Sequence, residues 1–176
     1  MALRLGGLTI LWPCGILLPM SDQIKGVGLL SGGLDSTLAV RIILEQGIDV
    51  TALHFRTGFS YFERDLLVGR GAVEPSDAEK AAELLGVDVE IINVSADYLP
   101  VVLRPRYGYG SGMNPCVDCR IFLLRQAKAW MEERGYHFIF TGEVVGQRPK
   151  SQMRPTLNTV ERESGLSGYL LRPLSA

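Results

Sequence analysis

Two spacings of apolar residues alternate along this chain. Short apolar runs bounded by glycine or charged residues read as buried strands: Lys25–Leu30, Asp49–Phe55, Val87–Val94, Tyr136–Thr141 and Gly168–Leu171. Between them lie segments with apolar residues three and four apart, which read as helices. These are Ser36–Gln46, stopped by Gly47; Pro75–Leu85, capped by Ser76 or Asp77 and stopped by Gly86; Cys116–Arg134, with Ile121, Leu124, Ala127 and Met131 on one face; and Thr156–Ser164. Arg56–Val73 reads as a loop whose Tyr61, Phe62 and Arg64 are placed to cover a site, and the stretch from Val94 to Pro115 as long and irregular. Repeated strand–helix units predict an α/β protein: a doubly wound parallel sheet with helices on both faces. Right-handed crossovers and a reversal of strand order put the ligand crevice at the carboxyl ends of the strands.

Against that frame the most informative residues are Ser31-Gly32-Gly33-Leu34-Asp35-Ser36-Thr37. They leave the first predicted strand at Leu30 and enter the first predicted helix. A glycine pair at such a turn lets several N–H groups face one point, and the helix adds its positive amino end. The hydroxyls of Ser31, Ser36 and Thr37 are further candidate donors. The pattern suits a phosphate or pyrophosphate. It is neither a Walker A loop, which needs a lysine, nor a dinucleotide fingerprint, which needs G-x-G-x-x-G. The plainer alternative is a tight turn with Asp35 or Ser36 capping a helix.

Composition narrows the class. The 176 residues are 47% hydrophobic and 21% charged, as in a soluble globular domain with a substantial core. The net charge of −1 excludes a global basic field, so any RNA contact has to come from a local patch. Three cysteines, with only Cys116 and Cys119 close together, argue against a disulfide-stapled secreted fold. Leu8–Met20 is apolar but broken by Pro13 and Pro19 and too short to span a bilayer; residues 1–20 read as a leader, disordered or a mis-assigned start. Residues 21–176 form the expected domain, which the abrupt ending marks as a candidate for truncation.

Two further segments carry chemistry. In Asn114-Pro115-Cys116-Val117-Asp118-Cys119-Arg120 two thiols stand at a predicted helix start. There the dipole and Arg120 favour thiolate. Such a pair converges on a metal, forms a redox disulfide, or bears and resolves a persulfide; a full zinc site needs about four ligands, and neither His54 nor His137 has ligand spacing to it. Thr141-Gly142-Glu143-Val144-Val145-Gly146-Gln147-Arg148-Pro149-Lys150-Ser151-Gln152 follows the fourth strand and so shares the rim of the first loop. Gly142 permits close backbone approach, Arg148 and Lys150 offer charge to phosphate, and Ser151 and Gln152 offer further donors.

S-G-G-L-D-S-T after a first strand resembles the PP-loop of the ATP pyrophosphatases, which cut ATP between the α- and β-phosphates. With N-P-C-V-D-C-R, G-E-V-V-G-Q-R-P-K-S-Q and the late L-R-P-L, the stretch from Lys25 to Leu174 resembles the tRNA thiolation branch of that superfamily, which holds the 4-thiouridine synthetases and 2-thiouridylases. The resemblance implies an adenine nucleotide alpha hydrolase-like, HUP/Rossmann-like fold. It implies ATP-dependent thiolation of a tRNA uridine: a uracil carbonyl is adenylated, pyrophosphate leaves, and sulfur is transferred with help from the C-x-x-C pair. It assigns ATP to Leu30, Ser31, Gly32, Gly33, Asp35, Ser36 and Thr37, with Asp35 organising Mg²⁺ or the loop itself. Main-chain groups of Leu53, His54 and Phe55 would meet adenine, and Gly142 the ribose or α-phosphate. Arg148 and Lys150 would steady developing charge. Cys116 and Cys119 would carry persulfide sulfur or anchor an iron–sulfur cluster or zinc. Implied partners are tRNA and a sulfur donor protein, a cysteine desulfurase or a carrier. The implied setting is cytoplasmic, with no membrane and with a homodimer as one allowed assembly. The RNA-binding and rhodanese-type domains that such enzymes often carry have no counterpart in these residues. Three rivals remain: a PP-loop enzyme adenylating a small molecule for an amine or ammonia, a non-catalytic nucleotide-binding subunit, and a sulfur role akin to thiamine biosynthesis.

Overall fold

The computed structural model describes residues 23–59 and 75–176. The expected leader, Cys14 and the aromatic residues Tyr61 and Phe62 lie outside them. Five strands, β1 (Lys25–Leu29), β2 (Asp49–Arg56), β3 (Asp88–Asn93), β4 (Phe138–Thr141) and β5 (Leu170–Leu171), form one sheet in the order β3-β2-β1-β4-β5, and every pairing is parallel. From β1 the chain runs outward to one edge, then returns to the other side of β1 at β4. The order therefore reverses between β1 and β4, where an open α/β sheet places its ligand crevice.

The side-chain period of two sends residues of each strand to opposite faces. Val27, Leu53 and Ile139 pack against α4 (Cys116–Arg134) and α5 (Arg154–Ser164) through Ile121, Leu124, Ala127 and Val160. Val50, Ala52 and Phe140 pack against α1 (Leu34–Glu45) and α2 (Asp77–Leu85) through Val40, Ile43, Ala78 and Ala82. A Cβ on Gly28 would lie 2.6 Å from the Phe140 ring and 3.2 Å from Val40, so the central strand is bare where that ring crosses it. Gly28→Ala will destabilise the protein by roughly 1–3 kcal/mol through overpacking, read as a lower urea midpoint; an unchanged midpoint would show that Phe140 moves aside freely.

The helix α1 starts at Leu34, two residues earlier than the periodicity predicts, with Gly33 as an extended N-cap that has no side-chain cap. α2 carries a capping box between Ser76 and Glu79 and closes on a left-handed Gly86. Hydrogen bonds from the Ser76 hydroxyl and amide hold the Glu79 carboxyl below the usual carboxylate range. The irregular segment expected from Val94 to Pro115 needs correction: it contains a helix, α3 (Ser95–Leu103). Pro100 stands inside it without an N–H to give, which hides the helix from propensity reasoning. The ladder survives on either side, from Tyr98 N–H to Val94 and from Arg104 N–H to Pro100. Burial of Tyr98 against Phe122 of α4 secures it.

Candidate nucleotide and sulfur site

The glycine-rich turn lies at the carboxyl end of β1. The first helical bond of α1 runs from Thr37 N–H to Gly33 C=O at 3.1 Å. The N–H groups of Leu34, Asp35 and Ser36 precede that bond and are left unpaired by helix geometry. The three hydroxyls read as ligand donors are instead used within the loop. Ser36 and Thr37 both donate to Gly33 C=O, at 2.9 and 3.0 Å, and the Ser31 and Ser36 hydroxyls are 3.1 Å apart. They shape the loop, while main-chain N–H groups face the crevice. Gly32 has φ +83°, and a Cβ there would lie 2.4 Å from the carbonyl carbon of Asp77. The amino end of α2 thus abuts the loop, and two helix amino ends meet there. Asp35 is half-buried in the first turn of α1, and its carboxylate has no partner among the described residues.

β2 extends past β1. Leu29, the last residue of β1, pairs with Leu53, and Leu30 N–H then donates to Leu53 C=O at 2.9 Å. By the two-residue alternation, the main-chain groups of Phe55 face the same side, beyond the end of β1. His54 is half-buried, with Nδ1 2.9 Å from Leu30 C=O, so its ring braces the loop's first residue. Sequence reasoning missed Arg56. It ends β2 at the crevice, its guanidinium is 3.9 Å from Glu79, and its buried Nε has no hydrogen-bond partner among the described residues. A charged residue closing an apolar strand was the available signal.

The third segment joins the other two. A Cβ on Gly142 would lie 2.5 Å from Asp35 C and Ser36 N, so this position touches the backbone of the glycine-rich loop. The next residue, Glu143, is buried and accepts from Arg120 at 2.7 Å and from Arg172 at 3.0 Å. Arg120 follows Cys119 and also donates to Ser151 C=O at 2.9 Å. Arg172, from the late L-R-P-L, continues to Glu161 at 2.9 Å. Ser151 and Gln152, read as further donors, are both buried, and Gln152 Oε1 is unpartnered among the described residues. Arg148 is exposed. Lys150 Nζ donates to Tyr109 C=O at 2.9 Å, on the loop that leads to the cysteines.

Cys116 and Cys119 are free thiols in the first turn of α4, both half-buried. The expectation of a readily formed thiolate needs correction at Cys119. Burial pushes that thiol up, outweighing the hydrogen bond from Tyr98 O–H and the Arg120 charge, which pull it down. Tyr98 is itself raised, by burial first and then by its bond to Cys119. Because the folded thiol ionises at higher pH than the unfolded one, its contribution to stability is complete below the ordinary thiol value and is lost as pH rises through the folded one. Iodoacetamide labelling of Cys119, followed by mass spectrometry, will trail that of a free thiol across pH 7–9 and match it after unfolding. Equal folded and unfolded profiles would refute the burial argument. No group of three or more His, Cys, Asp or Glu side chains suited to a metal occurs among the described residues. Two thiols fall short of a cluster's usual four ligands.

No helix among the described residues is long and apolar enough to cross a membrane. Residues 25–174 match the family model described as the tRNA methyl transferase HUP domain. Among curated relatives, a tRNA-specific 2-thiouridylase from Thermotoga petrophila is 35% identical over 101 residues, covering 53% of this chain and 28% of that protein. A probable tRNA sulfurtransferase from Thermococcus kodakarensis is 28% identical over 157 residues, 89% of this chain and 38% of that protein. The chain thus spans well under half the length of these relatives. A 4-thiouridine synthetase solved as an RNA complex with bound ATP superposes with TM-score 0.62 at 24% identity, over 86% of this chain and 37% of that one. A predicted tRNA methyltransferase subunit from Methanocaldococcus jannaschii superposes with TM-score 0.56 at 16% identity, over 87% and 69%. At those identities the two structures speak for the fold alone. With the glycine-rich turn at the strand-order switch and the family model matched from β1 to the final turn, the chain belongs to the tRNA methyl transferase HUP domain family.

Proposed function

We propose that this chain is the nucleotide-activating and sulfur-handling module of an ATP-dependent tRNA sulfurtransferase. The observation that carries this reading is the third segment, which touches the phosphate loop through Gly142 and the cysteine helix through Glu143 and Arg120. One short stretch of backbone therefore fixes an anion-binding turn relative to two thiols.

In this reading the N–H groups of the Gly32–Asp35 turn and the amino end of α1 hold the phosphates of ATP. Main-chain groups of Leu53 to Phe55 border the adenine, Gly142 passes the ribose or α-phosphate, and Arg56 ends β2 beside them, its buried Nε without a partner among the described residues. Asp35 fits Mg²⁺, which is held through one or two carboxylates plus substrate phosphates; the ion would neutralise phosphate charge there. A uracil carbonyl oxygen attacks the α-phosphorus, its bond to the β-bridging oxygen breaks, and pyrophosphate leaves. Arg148 and Lys150 steady the developing charge. The terminal sulfur of a persulfide on one cysteine then attacks the activated carbon and AMP departs. The second cysteine attacks the first cysteine's sulfur, releasing the thiolated base and leaving a disulfide, which a dithiol reductant reopens with two electrons. A sulfur donor protein reloads the pair.

The test uses α-labelled ATP, Mg²⁺ and bulk unmodified tRNA under anaerobic conditions, separating AMP from ADP. AMP that depends on tRNA is the expected result. AMP formed equally without tRNA would replace this reading with small-molecule adenylation, and bound ATP without AMP would replace it with a non-catalytic subunit.

A further inference from the structure

A cavity of about 310 Å³ opens between α3, α4 and α5, and its lining includes Asp118, which lies between the two cysteines in sequence. Its floor is apolar, formed by Val101, Ile121 and Phe122, and its rim carries Arg104, Arg106 and Arg125. The rim charges are poorly neutralised. The Arg104 side chain is exposed and has no hydrogen-bond or ion-pair partner among the described residues. Arg125 donates twice to the main-chain oxygen of Glu163, at 3.0 and 2.7 Å, which carries no formal charge. Arg106 reaches the Glu163 carboxylate at 3.2 Å, with its side chain 73% exposed. The other acidic side chain of the lining, Asp118, accepts the N–H groups of Arg106 and Tyr107 at 2.8 and 3.0 Å. It thereby ties the arginine-bearing loop to a residue that stands between Cys116 and Cys119. The floor reaches the same place, because Phe122 packs on Tyr98, whose hydroxyl meets Cys119. A second cavity, about 400 Å³ at the amino ends of the strands, carries Asp88 and Glu90 against a single arginine and is a poor seat for a polyanion.

An apolar floor under a cationic rim matches one ligand chemistry: a single-stranded nucleotide segment, with a base on the floor and phosphates at the rim. We propose that this groove binds the RNA strand flanking the reacting uridine and leads it to the cysteine pair. The proposal rests on the function proposed above. It supplies the local basic patch that a chain of net charge −1 needs.

The test is binding of an unmodified tRNA transcript to the full chain between 50 and 200 mM salt. Arg104→Glu, at an exposed and unpaired side chain, weakens binding at least fivefold. It also lowers the slope of log affinity against log salt by about one unit, the value of one lost phosphate contact. Arg104→Glu with Arg125→Glu weakens binding further, and the unfolding midpoint of each variant confirms an intact fold. Wild-type and variant chains that bind tRNA equally would overturn the groove and leave the proposed function standing. Displacement by base-free polyphosphate as effective as by single-stranded RNA of equal charge would overturn it too, since the floor would then read no base. A wild-type chain that binds no tRNA at 50 mM salt would overturn the groove as well. The failure of the proposed function itself is read separately, as AMP formation that ignores tRNA.

Discussion

Under the proposed function, Gly142→Ala will lower the affinity for ATP by about 5- to 150-fold, from overpacking worth roughly 1–3 kcal/mol at the glycine-rich loop. The added carbon would sit 2.5 Å from Asp35 C and Ser36 N and 2.6 Å from Asp35 O. These are backbone atoms in the first turn of α1, and no rotamer change relieves the clash. Either α1 moves away from β4 or the segment after β4 lifts, and both open the turn whose N–H groups face the crevice. Calorimetric titration with ATP reads the loss. Gly135→Ala is the matched control: it is a left-handed C-cap with nothing within 4 Å of its Cβ position, at the far end of α4, so it strains the backbone without touching the loop. ATP affinity in Gly142→Ala within twofold of wild type would show that the contact is soft and that the loop is not fixed from this side.

Glu143→Ala will destabilise the fold by about 3–5 kcal/mol, the usual consequence of removing one partner from a buried ion pair. The Glu143 side chain is 11% exposed and faces two guanidiniums, those of Arg120 and Arg172, which are 23% and 12% exposed. Without it, Arg172 keeps Glu161, but among the described residues Arg120 keeps only the Ser151 carbonyl. Screening acts weakly on buried pairs, so the loss will persist in 0.5 M salt. Glu143→Gln, which retains an acceptor of the same shape, will lose less. Urea unfolding at low and high salt decides it: a difference below about 1 kcal/mol for Glu143→Ala would mean that water takes over the carboxylate's role.

Much of the site could be read from residue spacing because it is main-chain chemistry. Gly32 and Gly142 mark close approaches that side chains forbid, and the strand–turn–helix context of Ser31–Thr37 and the position of Gly142 after β4 put them on one rim. What stayed hidden depends on tertiary contact. Hydroxyls at Ser31, Ser36 and Thr37 have the same inventory whether they face a ligand or their own loop, and here the fold turns them inward. The direction of the Cys119 shift depends on how deeply α3 covers it, and α3 was concealed by Pro100. Glu143 is an ordinary acidic residue in a polar run until β4, α4 and the final turn converge on it. Arg56 looked like the start of a loop because its strand's apolar run ends one residue earlier.

The sheet order also has a consequence for how the chain acquires its fold. β1 is the central strand, yet its β4 neighbour comes late: His137, which binds the start of β1 on that side, follows Lys25 by 112 residues. On a ribosome β1, β2 and β3 can pair first, leaving one edge of the central strand bare until most of the domain has emerged. Parallel pairing at such separation closes a long loop before any contact rewards it, which makes the step slow. The nascent chain is most vulnerable to sticking to its neighbours during that interval, and the phosphate turn completes only when β4 arrives and Gly142 seats against it.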